Sequence, residues 1–183
     1  MENKKMNPLT IQSRQWMLDA LLQLMKEKNY SEITIKELTE RAGLDRKTFY
    51  RHFKTKDELL NLPMKEAFDR YVDELRQLPE LSSFAITKAY FDLCLQYIDF
   101  FKLLNTHGLL LIVLLKFSEY FPMLNDLFFD NPAYVKKTDW ELIYEAGGFW
   151  NVTVHWIKNG ARETPEEMAK IIDSITLPLL QEA

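Results

Sequence analysis

The most informative stretch of this sequence is residues 33–60, which read ITIKELTERAGLDRKTFYRHFKTKDELL. Thr34 and Glu37 have the spacing of a capping box. In this motif the threonine oxygen accepts a hydrogen bond from a backbone N–H of the first helical turn, and the glutamate carboxylate accepts one from the backbone N–H of the threonine. Gly43 fits the left-handed residue that ends a helix, and Asp45 can cap the next one. The stretch therefore predicts two short helices joined around a glycine, the layout of a helix-turn-helix.

The second helix of such a motif lies in the major groove, with its early residues facing base edges. Phe49 and Phe53 are spaced to point into a core, which turns the charged residues of this helix outward. Arginine and lysine pair with guanine, whereas Tyr, Thr and His more often hold phosphates or sugars. The residues predicted to face DNA are Arg46, Lys47, Tyr50 and Arg51, with Lys56 at the next helix start meeting a phosphate.

A small helical hairpin with an ordinary solvated face is the alternative explanation for basic residues on a short helix. Charge distribution favours a nucleic-acid interface. Net charge is −4, yet residues 1–60 hold 12 Lys or Arg against 9 Asp or Glu, a balance of +3. The remaining residues hold 11 against 18, a balance of −7. A basic end on an acidic body suits a protein that presents that end to phosphates.

Over about residues 10–62 the sequence closely resembles the TetR family of regulators. The resemblance is carried by Thr34-Ile35, Ala42-Gly43-Leu44, Tyr50-Arg51-His52-Phe53 and Lys56-Asp57-Glu58-Leu59. It implies that Thr34, Tyr50, His52 and Lys56 hold the DNA backbone, and that Arg46, Lys47 and Thr48 approach the bases. It also implies a homodimer on a palindromic double-stranded operator, with the last two helices pairing the protomers, and repression as the usual mode of action.

The fold expected from pattern and resemblance is all-α. A three-helix DNA-binding head over residues 1–62, with the helix-turn-helix at about 34–53, precedes a helical ligand-binding and dimerisation domain over 63–183. The later helices are predicted at 55–77 (interrupted by Pro63), 83–105, 108–121, near 123–130, 138–159 and 165–177. Four Thr-x-x-Glu starts mark helix beginnings: Thr34…Glu37, Thr55…Glu58, Thr138…Glu141 and Thr164…Glu167.

The predicted body is rich in aromatic residues, and two interpretations of them stay open. In TetR-like proteins the corresponding helices surround a small-molecule pocket, which here would involve Tyr90, Phe91, Tyr97, Phe101, His107 and Phe117. The other interpretation is that these rings fill the core. Helix 138–159 is apolar on several faces and must be buried in the domain or between protomers. The dimer-face candidates are Trp150, Val154, Met168, Ile172 and Ile175.

Several classes of protein are not expected. The sequence has no Gly-rich phosphate loop, nucleophile elbow or metal-ligand spacing, so we expect no enzyme, cofactor or metal site. The longest apolar run, 109–115, is short for a membrane span, and we expect a cytoplasmic protein. Residues 147–150, 156–160 and 165–168 resemble a TetR subgroup that includes regulators and co-activators of dihydroxyacetone metabolism. A co-regulator that keeps this fold but acts mainly through a protein partner is the alternative function.

Overall fold

The computed structural model describes residues 7–127 and 138–181 of the chain. Within those ranges the regular structure is helical and contains no strand, which confirms the predicted all-α fold. A 3-10 turn, Tyr30–Glu32, connects the first two helices. The α-helices are α1 Pro8–Glu27, α2 Ile35–Arg41, α3 Arg46–His52, α4 Asp57–Gln77, α5 Ser83–Gln96, α6 Ile98–Thr106, α7 Leu110–Leu127, α8 Asp139–Lys158 and α9 Pro165–Gln181.

The chain forms two compact units that divide between Met64 and Lys65. We call the first unit the head and the second the body. This division lies two residues beyond the boundary expected from the sequence, and it falls inside α4. None of the helices in the described residues is long and apolar enough to cross a membrane.

Three of the four predicted capping boxes are present. At Thr138, the backbone N–H donates to the Glu141 carboxylate over 2.7 Å, and the threonine oxygen accepts from the Glu141 N–H over 3.3 Å. The boxes at Thr34 and Thr164 have the same reciprocal pattern. The predicted start at Thr55 is wrong, because α4 begins at Asp57 and the Glu58 carboxylate instead accepts from the Lys54 N–H.

Three predicted helix boundaries also need correction. The expected helix 83–105 is two helices that meet at Tyr97, whose backbone departs from helical geometry. The expected pieces 108–121 and 123–130 form one helix through Pro122, as far as the described residues extend. Helix α4 likewise continues through Pro63. A proline removes one helical hydrogen bond, and burial of the apolar residues on both sides of Pro63 offsets that loss.

Two clusters of buried residues in the described part of the body share helix α5. One joins Ala67, Tyr71 and Leu75 of α4 to Ala89 and Leu93 of α5. The other joins α5 to the last two helices through Phe91, Cys94, Trp156, Ile157, Met168 and Ile172. Helix α5 is therefore the central element of the body, and α9 packs directly along it.

Candidate nucleic-acid interface

Two ion pairs tie α1 to α2 and so position the first half of the helix-turn-helix. The Lys28 ammonium lies 2.5 Å from the Glu37 carboxylate. The Arg41 guanidinium donates two hydrogen bonds, of 2.7 and 2.8 Å, to the Glu27 carboxylate. The paired residues are 9 and 14 positions apart in sequence, which is too far for helical spacing to predict either ion pair.

The turn between α2 and α3 has the predicted chemistry. Gly43 adopts φ +67°, a left-handed conformation that glycine reaches without strain. The N–H of Leu44 donates to the Thr39 carbonyl over 2.9 Å and closes the turn. The Asp45 carboxylate then caps α3 by accepting from the Thr48 N–H over 2.6 Å, which lowers the pKa of Asp45. These contacts fix where α3 begins and which way it points.

Helix α3 has a buried side and an exposed side, as the sequence predicts. Phe49 is fully buried and Phe53 nearly so, with their ring centroids 5.7 Å apart. Thr48 is partly buried beside its cap. The side chains that α3 leaves exposed are Arg46, Lys47, Tyr50 and Arg51. Their cationic groups and the phenol therefore share the outer surface of this short helix, which is the arrangement needed for groove contacts.

His52 lies at the last turn of α3 and is partly buried. Burial lowers the pKa of its imidazole, and the nearby Arg51 and Arg14 charges lower that pKa further. The lowered pKa favours the neutral form of the ring, which offers a hydrogen bond and no charge. A neutral imidazole at this position suits a contact with a phosphate or sugar oxygen.

Thr34 is exposed at the start of α2. Its oxygen accepts from the Glu37 N–H over 3.2 Å, while the Glu37 carboxylate accepts from the Thr34 N–H over 3.0 Å. Lys56, in contrast, is partly buried, and its ammonium donates to main-chain carbonyls within the head. Thr34 is therefore accessible to a partner outside the head, whereas the Lys56 ammonium binds carbonyl groups within it.

The pKa of Glu37 is lowered to about 2, first by the Lys28 hydrogen bond and then by the Thr34 backbone and hydroxyl. Folding lowers the pKa of Glu37, so its ionised carboxylate stabilises the head at pH values above 4.5, the ordinary pKa of this side chain. The contribution is lost as the pH falls towards 2. We expect Glu37→Gln to lower stability at pH 7 and to reduce the loss of stability between pH 5 and pH 2, measured as the urea midpoint.

The control for this substitution is Glu40→Gln. Glu40 is exposed, and its carboxylate has Lys36 at 3.9 Å. Glu40→Gln removes a carboxylate from the same helix without touching the Lys28–Glu37 ion pair. Equal acid sensitivity in the wild type and Glu37→Gln would show that the ion pair with Lys28 contributes nothing to stability.

Three of the six residues predicted to line a ligand pocket form ring contacts with one another. Tyr90 and Phe117 lie 5.7 Å apart by ring centroids, and Phe91 lies 5.1 Å from Tyr90. Tyr97 and Phe101 pack against different core clusters, and His107 ends α6. Two open clefts on the body, of about 250 and 490 Å³, are lined by other residues. The pocket remains a prediction, with Tyr90 at its centre.

A hydrogen bond that the sequence analysis missed orients Tyr90. The Thr153 hydroxyl donates to the Phe149 carbonyl over 2.8 Å, so its oxygen is left to accept from the Tyr90 hydroxyl, 2.9 Å away. Burial raises the pKa of Tyr90, which keeps its hydroxyl protonated. The bond ties α5 to α8 across 63 residues of sequence, a separation at which residue spacing carries no signal.

The dimer-face residues divide into two groups. Trp150, Met168 and Ile172, three of the dimer-face candidates, are buried within the single chain, so their burial does not require a second protomer. Val154 is partly buried, and Ile175 is 53 % exposed. When a helix is apolar on every face, its sequence does not show which face packs inside its own domain and which face is left for a second protomer. Among the side chains that the structure describes, the large apolar ones exposed on α8 and α9 are Trp140, Ile143, Tyr144, Ile171 and Ile175.

The head matches a known family of regulators. The family model for bacterial regulatory proteins of the tetR family matches residues 17–62. A curated relative, the uncharacterized HTH-type transcriptional regulator YxbF of Bacillus subtilis (strain 168), is 27 % identical over 89 residues. That match covers 48 % of this chain, and the chain spans 23 % of the length of the relative.

Solved structures show the same fold over nearly the whole chain. The fatty acid degradation regulator FadR from Bacillus halodurans superposes with a TM-score of 0.60 at 17 % identity, covering 94 % of this chain and 96 % of FadR. The dihydroxyacetone kinase operon activator DhaS superposes with a TM-score of 0.56 at 18 % identity, covering 93 % and 95 %.

These identities show a shared fold, and the dihydroxyacetone-related subgroup remains a prediction. The helix-turn-helix geometry of residues 35–52 falls within the segment that the family model matches. The N-terminal domain therefore matches the TetR family of bacterial regulatory proteins over residues 17–62, and the all-helical fold of the described residues agrees with that match.

Proposed function

We propose that this protein is a sequence-specific DNA-binding transcriptional regulator that acts in the cytoplasm on a palindromic operator. The observation that carries this proposal is the two-sided helix α3. Phe49 anchors it in the head, while Arg46, Lys47, Tyr50 and Arg51 remain exposed on its other side. Exposed arginine and lysine at the start of such a helix can donate paired hydrogen bonds to guanine O6 and N7.

The test is selection of genomic DNA. Purified protein is mixed with sheared DNA of the host, and bound fragments are sequenced after washing at increasing salt. We expect a small set of fragments that share an inverted repeat whose half-sites lie about one helical turn apart, because two recognition helices must enter successive major grooves. Recovery of fragments without any common sequence would reject the proposal and favour the co-regulator that acts through a protein partner.

We further propose a homodimer formed by α8 and α9, since a palindrome requires two heads related by two-fold symmetry. Exposed apolar side chains support this surface, above all Trp140 at 82 % and Tyr144 at 74 % exposure. Gly147 and Gly148 add room, because a Cβ built at either position meets no atom within 4 Å in the single chain. Two glycines inside a helix each cost about 1 kcal/mol of helix propensity, and close approach of a second helix would offset that cost.

The dimer predicts that Ile175→Asp raises the dimer dissociation constant by at least about tenfold, because a charge would be buried without a partner. Analytical ultracentrifugation at several micromolar concentrations measures this change. Ile11→Asp is the matched control, since Ile11 is 54 % exposed on α1 and Ile175 is 53 % exposed on α9. A monomeric wild type, or an Ile175→Asp variant that dimerises normally, would rule out this interface.

We propose, finally, that the protein is a repressor and that a small molecule bound in the body lowers its affinity for the operator. Aromatic rings of four helices surround Tyr90, with Tyr71, Phe91, Phe117 and Phe149 at centroid distances of 5.1 to 6.2 Å. Such a site suits a mostly apolar effector with one polar group. Repeating the genomic selection with candidate compounds present tests this step, and release of the enriched fragments is the expected result.

A further inference from the structure

The start of α4 holds the connection between α1 and α2 through two consecutive residues. The Lys56 ammonium donates to the main-chain carbonyls of Tyr30 and Ile33, the latter over 2.8 Å. The same ammonium lies 4.2 Å from the centroid of the Tyr30 ring. The Tyr30 hydroxyl in turn donates to the Asp57 carboxylate. Lys56 and Asp57 therefore bind this connection at its backbone and at its aromatic side chain.

These contacts lie directly before the helix-turn-helix. Ile33 immediately precedes Thr34, the N-cap of α2, and Tyr30 begins the 3-10 turn that leads to it. Helix α2 contacts α3, so the path of the chain at Ile33 influences where α3 presents its exposed side chains. A side chain that fixes the Ile33 carbonyl thus acts on the recognition helix without reaching its surface.

The ammonium of Lys56 has little capacity left for an additional partner. An ammonium has three donors, and two of them are directed at carbonyls while the Tyr30 ring covers one side. Burial lowers the pKa of Lys56, in keeping with a partly enclosed group. Lys54, two residues earlier, is exposed and lies with Lys56 in the segment between α3 and α4. The two lysines carry the same charge but stand in different environments.

We propose that Lys56 is a positioning residue for DNA recognition, which sets the start of α2 through the Tyr30 and Ile33 carbonyls and does not neutralise a phosphate. This inference rests on the proposed function as a DNA-binding regulator. It replaces the phosphate contact expected for Lys56 from the sequence, and it assigns Tyr30, a buried residue, to the same task.

The experiment measures operator affinity of Lys56→Met, Tyr30→Phe and the double variant across a salt series, using the fragment most enriched by the wild type. We expect Lys56→Met to weaken binding about tenfold with an unchanged salt slope, and the two substitutions to be non-additive because they act on one network. Loss of a phosphate contact would instead reduce the salt slope by about one. Lys56→Arg, which keeps the charge and the donors, should restore most of the affinity.

Lys54→Met is the control for the loss of a positive charge near the same helix start. All measurements are made at a temperature where circular dichroism shows each variant fully folded. If Lys56→Met does not fold, Lys56→Gln replaces it in the salt series, because it also removes the charge that contacts the Tyr30 and Ile33 carbonyls. A salt slope reduced by about one in Lys56→Met, or normal operator affinity in both Tyr30→Phe and Lys56→Met, would overturn the inference. A wild type without operator preference would overturn the proposed function itself, and this inference with it.

Discussion

Replacing Trp156 by alanine is expected to destabilise the body by about 3–5 kcal/mol, the range for removing a large buried aromatic side chain. Trp156 is 2 % exposed and packs edge-to-face on Phe91, with ring centroids 5.3 Å apart. Its indole N–H donates to the Glu163 carbonyl over 3.0 Å. The substitution would therefore open a cavity between α5 and α8 and leave the Glu163 carbonyl without this donor.

Trp140→Ala is the matched control for Trp156→Ala. Trp140 stands on the same helix and is 82 % exposed in the single chain. Urea unfolding at protein concentrations below the dimer dissociation constant should show little change for Trp140→Ala and a large fall in midpoint for Trp156→Ala. Equal destabilisation by the two substitutions would contradict the packing of α8 described above.

The second large effect is expected at the recognition helix. Arg46→Ala and Lys47→Ala should each reduce discrimination between operator and random DNA by about 1–3 kcal/mol if the residue makes a good paired base contact. Both side chains are exposed at the first turn of α3, where base edges are reached. Fluorescence anisotropy with operator and scrambled duplexes at equal salt measures the difference.

Arg76→Ala is the control for Arg46→Ala, since Arg76 is an exposed arginine of the body whose guanidinium pairs with Asp73 over 3.3 Å. This substitution removes the same charge and should leave discrimination unaltered. Unchanged affinities of Arg46→Ala for both duplexes would mean that another surface of the head faces the groove.

Local signals account for the parts of the structure that the sequence predicted correctly. The Thr34 capping box, the left-handed Gly43 and the Asp45 cap each depend on residues within a few positions of one another. The buried face of α3 follows from Phe49 and Phe53 at helical spacing. Such features are visible in a single sequence because their physical cause is local.

The features that escaped prediction depend on contacts between distant segments. Lys56 and the Tyr30 carbonyl are 26 residues apart, so a lysine suited to a phosphate was indistinguishable from one that binds the main chain. The same holds for Met168 and Ile172, whose burial against Phe91 depends on how α9 packs along α5. Apolar periodicity shows that a face is buried but does not identify what covers it.

Helix α4 limits how the head and the body could be exchanged between related proteins, because it contributes residues to both units. Its first turns supply Leu59 and Leu60 to the buried residues of the head, and its later turns supply Tyr71 and Leu75 to a core of the body. A chimera that takes its head from one relative and its body from another therefore needs a single helix whose early residues fit the first core and whose later residues fit the second.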